Sequence, residues 1–130
     1  KEARNKGAFS VSDTRYFESL FRSLHNIIPP EKPSLVHGDL WSGNFLVTPE
    51  GSPCLVDPAV YYGHREADIA MSLLFGGFDP AFYEAYNRTW PLEKGWQKRM
   101  DIFNLYPLLV HVNLFGGSYA GQVLRIIRQF

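Results

Sequence analysis

The stretch HGDLWSGN, residues 37–44, places His37, Asp39, Leu40 and Asn44 in the order H-x-D-L-x-x-x-N. That spacing suits phosphoryl transfer. A carboxylate must accept a hydrogen bond from the attacking hydroxyl, and a few residues on a neutral carbonyl oxygen must reach the magnesium ion that holds the phosphates. Asp39 and Asn44 lie five residues apart across a loop containing Gly43 and meet both needs, Asp39 as general base and Asn44 as metal ligand. Asp and Asn also recur at such spacings in ordinary turns, where Asp caps and Asn tolerates a left-handed backbone, so the pair needs support from its surroundings.

The residues after Asn44 supply that support. Phe45 to Val47 and Cys54 to Val56 read as two short strands around Pro49, Glu50, Gly51, Ser52 and Pro53, a hairpin. Asp57 stands immediately after the second strand, where a protein-kinase-like fold carries its other metal-binding carboxylate. Magnesium prefers hard oxygen ligands and keeps several waters, so Asn44 and Asp57 beside phosphate oxygens are a sufficient protein contribution. Loop, hairpin and aspartate in this order predict a chain that is mainly α with a small β-hairpin, the C-terminal lobe of a protein-kinase-like (α+β) fold.

The remaining pattern is helical. Ser12 and Asp13 are placed to cap a helix in which Tyr16, Phe17, Leu20, Phe21, Leu24, Ile27 and Ile28 recur at three and four, and Pro29 and Pro30 end it. Leu35 and Val36 form a brief extended run before the loop. After Asp57 and Pro58 the periodicity lapses until Glu66, where Ala67 to Leu74 read as a nearly all-apolar buried helix closed by Gly76 and Gly77. Asp79 before Pro80 predicts a capped helix running to about Trp90, stopped by Pro91. A long helical region spans roughly 96–115, with Pro107 expected to kink or divide it, and Ser118 is placed to cap a last helix through Arg128. Residues 1–12 read as a polar, flexible segment and 13–130 as one lobe. The chain opens on Lys1 in an unpatterned stretch, which suggests a piece of a longer product.

Composition narrows the function. Thirteen basic and thirteen acidic residues cancel, and no basic run interleaves with aromatics, so a nucleic-acid partner is not expected. The longest apolar stretch, Phe103 to Phe115, is broken by Asn104, Pro107, His111 and Asn113 and falls short of a membrane span. Cys54 is the single cysteine, which fits a reducing, cytoplasmic setting and reads as a buried small apolar residue. The four histidines have no metal-ligand spacing, so zinc is not expected. Gly116, Gly117 and Ser118 approximate a hydrolase elbow, but a helical pattern precedes them and no Asp, Glu or His comes after.

Three segments, LVHGDLWSGN, DPAVYYGHREADIAMSLLFGGF and NLYPLLVHVNLFGGSY, together resemble the fructosamine kinases, relatives of the aminoglycoside and choline kinases. The resemblance covers most of residues 34–119 and is most specific at Trp41 and in GHREAD. It implies that Asp39 is the base, that Asn44 and Asp57 hold magnesium, that ATP is the donor, and that a small or protein-bound ketosamine is the acceptor. The position of Trp41 is commonly His in the aminoglycoside and choline kinases, and here its ring is placed either to stack on a sugar or to pack. His37 is expected to hold the loop through a backbone or carboxylate hydrogen bond. Asp68 resembles the aspartate that braces the catalytic loop, or else complements its helix dipole. His64 and Arg65 either face the acceptor or lie exposed in a loop.

The resemblance also implies a separate N-terminal lobe with a glycine-containing phosphate loop and a paired lysine. Neither is legible here, where Lys1, Lys6, Lys32, Lys94 and Lys98 all fall in polar or loop contexts. Other acceptors, such as an aminoglycoside, choline or another sugar, stay open, as does a non-catalytic kinase-like binding module.

Overall fold

The computed structural model describes residues 7–116 and 118–130. They group into two compact units, one of residues up to 29 with 104–130 and the other of residues 30–103.

In the first unit, helix α1 (Thr14–Ile27) carries the expected three-and-four pattern and buries Leu20. Asp13 precedes it, but its side chain caps no helical N–H. Its Oδ2 instead accepts from the backbone N and the hydroxyl of Ser10, at 2.9 and 2.6 Å. Residues 7–12 form turns, and Phe9 is buried edge-on against Phe17, an aromatic anchor inside the segment that the polar composition marked as flexible. Residues 1–6 of that segment lie outside the described residues.

The long helical region divides at Asn104 into α4 (Trp96–Phe103), which belongs to the second unit, and α5 (Leu105–Phe115). Pro107 does not make the break. It sits in the first turn of α5, where no intrahelical partner is needed for the missing N–H. Helix α6 (Ala120–Ile127) follows Tyr119 rather than a Ser118 cap, and buries Ala120, Val123, Ile126 and Ile127. Burying each aliphatic side chain contributes about 1.5–3 kcal/mol, so this face is what holds α6 against α5 and α1.

In the second unit, β1 (Ser34–Val36) pairs antiparallel with β4 (Tyr61–Gly63), in register Ser34↔Gly63 and Val36↔Tyr61. Sequence patterning had no signal for β4, because three residues with both aromatic side chains exposed show no alternation. The hairpin pairs β2 (Phe45–Val47) with β3 (Pro53–Leu55), Phe45 opposite Leu55 and Val47 opposite Pro53. Cys54 lies in it half-buried rather than buried.

Helix α2 (Glu66–Leu74) packs on α4, and its Ile69 and Ala70 join Met100 in a core to which Phe82, Tyr83 and Tyr86 of α3 (Pro80–Thr89) add. Asp79 caps α3 as expected, its Oδ1 accepting from Ala81 N at 2.9 Å. The buried positions of α2 differ from an all-apolar helix, since Glu66 and Ser72 are fully buried while Leu73 is exposed.

Candidate active site

Strand β1 delivers the chain into residues 37–44, and the first turn of the loop is fastened from two sides. His37 O accepts from Ala59 N at 2.8 Å, just beyond the last paired residues of β1 and β4. On the other side the Asp68 carboxylate accepts from His37 N at 2.6 Å and from Gly38 N at 2.9 Å. These are charge-assisted bonds, about twice as strong as neutral ones. Gly38 has φ 80°, and a Cβ there would stand 2.1 Å from Ala59 O, so the close approach admits only glycine.

The far end of the loop ties its two predicted functional side chains together. Asn44, only 8% exposed, donates from Nδ2 to both the backbone O and Oδ2 of Asp39, each at 2.9 Å. With two Asp39 oxygens as neighbours the amide nitrogen must face them, which leaves Asn44 Oδ1 as its oxygen donor. Asn44 also accepts at its backbone O from Val56 N at 3.0 Å, and His37 Nε2 donates to Val56 O at 3.1 Å. Both backbone groups of Val56 are thus bound to the loop. His37 has the expected kind of contact, and its Nδ1 accepts weakly from Asp39 N at 3.4 Å.

Asp57 comes directly after Val56 and is exposed, with φ 56°, the one positive φ outside glycine among the described residues. A left-handed Asp costs on the order of 1 kcal/mol and persists only where its neighbours over-determine it, which the two Val56 bonds do. Hence Asn44 and Asp57 are neighbours through Val56. Asn44 Oδ1 and the Asp57 carboxylate are hard oxygens of the kind magnesium takes. Among the described residues no group of three His, Cys, Asp or Glu side chains forms a larger metal cluster.

A fructosamine kinase family model matches residues 2–130. The chain belongs to the fructosamine kinase family. It is 52% identical over 117 residues to the probable ketoamine kinase of Enterococcus faecium, covering 89% of this chain and 42% of that protein. It is 46% identical over 99 residues to the chloroplastic protein-ribulosamine 3-kinase of Arabidopsis thaliana, covering 76% of this chain and 30% of that one. The crystal structure of a candidate fructosamine-3-kinase from Thermobifida fusca superposes with a TM-score of 0.88 at 41% identity, covering 98% of this chain and 44% of that one. The chain therefore spans between 33% and 42% of the length of the first three curated relatives it matches.

Within this fructosamine kinase lobe, the other sequence-selected residues fall in different places. Trp41 is half-buried with its indole laid across Gly43, where a Cβ would come within 2.2 Å of the ring. His64 is turned inward. Its ring lies 5.0 Å from that of Phe103, Nδ1 accepts from Glu66 N at 3.3 Å, and Nε2 is buried with no hydrogen-bond partner among the described residues. Arg65 corrects the exposed-loop alternative, being only 4% exposed. Its Nε donates to Glu31 at 3.0 Å, its other two nitrogens donate to the carbonyls of Trp90 and Pro91, and its guanidinium stacks 4.3 Å from the Trp90 ring. All three nitrogens are engaged inside the protein.

Sequence reasoning missed a second buried ion pair. Arg99, 6% exposed, donates from Nε and Nη2 to the two carboxylate oxygens of Glu66, which is 0% exposed. Glu66 holds the Arg99 guanidinium above its ordinary pKa through these bonds, against the opposing pull of burial. The available signal was a Glu at the start of an otherwise apolar helix, which demands a buried partner that residue spacing cannot name.

Proposed function

We propose that this chain is the catalytic-loop lobe of a kinase that transfers the γ-phosphoryl group of ATP, with magnesium, to a hydroxyl of a small or protein-bound ketosamine. The observation that carries the proposal is the bonding of Asn44 to Asp39 on one side and to Val56, and so to Asp57, on the other. In this reading these bonds hold the base and the Asn44 amide relative to each other and set the backbone from which Asp57 projects. That supports the proposal, because positioning is most of what phosphoryl transfer asks of a protein.

In this reading Asp39 accepts the proton of the attacking hydroxyl and aims it, while Asn44 Oδ1 and Asp57 hold the metal. Magnesium, when bound, supplies neutralisation of the phosphate charge. Trp41, two residues from Asp39 and half-buried, offers a ring for the sugar. His37 and Asp68 hold the loop. The names of the relatives, ketoamine and ribulosamine kinases, support an acceptor of that class. The lobe that covers the phosphates lies, in this reading, in the part of the relatives that this chain does not match. No helix among the described residues is long and apolar enough to cross a membrane, and a cytoplasmic site of action fits the lone thiol.

Phosphate transfer by the intact protein to fructosyl and ribulosyl amines, choline and an aminoglycoside tests the proposal. Transfer to the ketosamines first is the expected result. Preference for choline or the aminoglycoside would overturn the acceptor, and ATP binding without transfer to any of them would overturn the enzymatic reading. The 130-residue chain alone is expected to give no steady turnover, since Asp39 cannot replace the electrostatic cover over the phosphates.

A further inference from the structure

We infer that Arg99 is a positioning residue for the catalytic loop, acting through Glu66 and Asp68, an inference that rests on the phosphotransferase reading above. The chain of contacts is short and closed. Arg99 is fastened at both ends, its Nε and Nη2 to the Glu66 carboxylate and its Nη1 and Nη2 to the carbonyls of Lys94 and Glu93, each at 3.1 Å. A guanidinium bound on two edges cannot rotate without breaking bonds to both, so it fixes where Glu66 stands. Glu66 opens α2, and Asp68 sits two residues on, in the same first turn. A shift of that turn along its axis therefore moves both carboxylates together.

Asp68 tolerates little movement. Its two oxygens bond the consecutive amides of His37 and Gly38, and Asp39 is the next residue. Gly38 is pressed against Ala59 on its other side, so the loop cannot follow a displaced Asp68 by sliding. A slip of α2 would lengthen one or both of these bonds and leave Asp39 swinging on an unbraced turn. The core around Ile69 and Ala70 holds α2 laterally, and a hydrogen bond between the Ser72 and Tyr83 hydroxyls, at 3.1 Å, ties the far half of the helix to α3. The Arg99 fork supplies the direction at the first turn. Arg65, the residue before, is anchored to Glu31 and to the carbonyls of Trp90 and Pro91, so the entry to α2, where Asp68 stands, has two such directional ties.

Amide exchange at His37 and Gly38, read alongside turnover in the intact protein, tests the inference. Arg99→Lys keeps the charge and loses the fork. It is expected to speed exchange at those two amides about tenfold and lower kcat about tenfold, a coupling of the size found within one bonded network, with KM for ATP unchanged. Because Arg99 acts through Asp68, the double variant Arg99→Lys with Asp68→Asn should be no slower than Asp68→Asn alone. A second variant separates positioning from folding. Glu66→Met with Arg99→Leu replaces the pair by apolar groups, which restores packing without direction. It should melt near the wild-type temperature yet show the same fast exchange and low kcat. Wild-type protection and turnover in that double replacement, or additive effects with Asp68→Asn, would overturn the inference. Exchange reports the coupling even in a protein that transfers no phosphate, so that result would sink the kinase reading alone.

Discussion

The open polar groups Asn44 and Asp57 and the buried charges Arg65, Glu66 and Arg99 are treated in opposite ways by the same unit. Asp57 stands exposed on a left-handed backbone, and among the described residues the side-chain bonds of Asn44 run from Nδ2 and leave Oδ1 unused. Glu66, Arg65 and Arg99 are buried, and each is closed by bonds to a partner or to carbonyls. The first group retains capacity to bind something else, at a cost in local strain. The second has none left, and what it does is hold shape. Burying a charge is tolerable only when it is fully paired, so open charges must stay near solvent and the rigid ones need not.

Removing Asp39 should show the contrast at its greatest. Asp39→Asn in the intact protein is expected to lower kcat by about 10²–10⁴-fold while ATP and magnesium affinity change little, because the proposed base would touch the acceptor and not the metal. Turnover within a few-fold of wild type would take Asp39 out of the base role.

On the support side, Glu66→Ala strands the Arg99 charge in the interior and should cost about 3–5 kcal/mol of stability, read as a loss in denaturant midpoint. Asp57→Gly goes the other way. It relieves the left-handed Asp and should be neutral or stabilising by up to about 1 kcal/mol while abolishing the magnesium requirement's normal midpoint. If both variants lose stability alike, the division into open and closed charges fails.

Between the two proposed metal ligands the effects should differ by less. Asp57→Ala should raise the magnesium concentration needed for half-maximal nucleotide binding about tenfold more than Asn44→Ala does, since a charged oxygen is lost in one and a neutral oxygen in the other. A magnesium titration unchanged in Asp57→Ala would remove that residue from the site.

The smallest effect is expected at Asp13, in the other unit, a carboxylate bonded to Ser10, three residues before it in the chain. Hydrogen bonds from the Ser10 hydroxyl and backbone hold its carboxyl below the usual carboxylate range, with Arg128 adding to them and partial burial opposing. A depressed folded pKa contributes stability that is present above the unfolded value and lost as pH falls through the folded one. Asp13→Asn should therefore melt slightly below wild type at neutral pH, and the gap should close under acid conditions. A gap that stays constant with pH would mean the carboxylate charge contributes nothing there.

What the sequence by itself determined is the local pattern. Asp39, Asn44 and Asp57 could be singled out as proposed base and metal ligands because phosphoryl transfer demands such groups at fixed short separations, and a loop followed by a hairpin imposes those separations whatever surrounds it. The helices over 14–27, 66–74 and 80–89 were legible for a similar reason, through periodicity, caps and prolines. Only the tertiary structure decided the partners. His37 meets Val56, Asp68 meets the amides of His37 and Gly38, Arg65 meets Glu31, and Glu66 meets Arg99, with 19 to 34 residues between the members of each pair. Strand β4 exists only because β1 lies beside it, and the break at Asn104 precedes the proline expected to cause it. Spacing along a chain constrains what a few residues can do together, whereas a bond across thirty residues depends on the path by which the chain returns, and the packing of the whole unit sets that path.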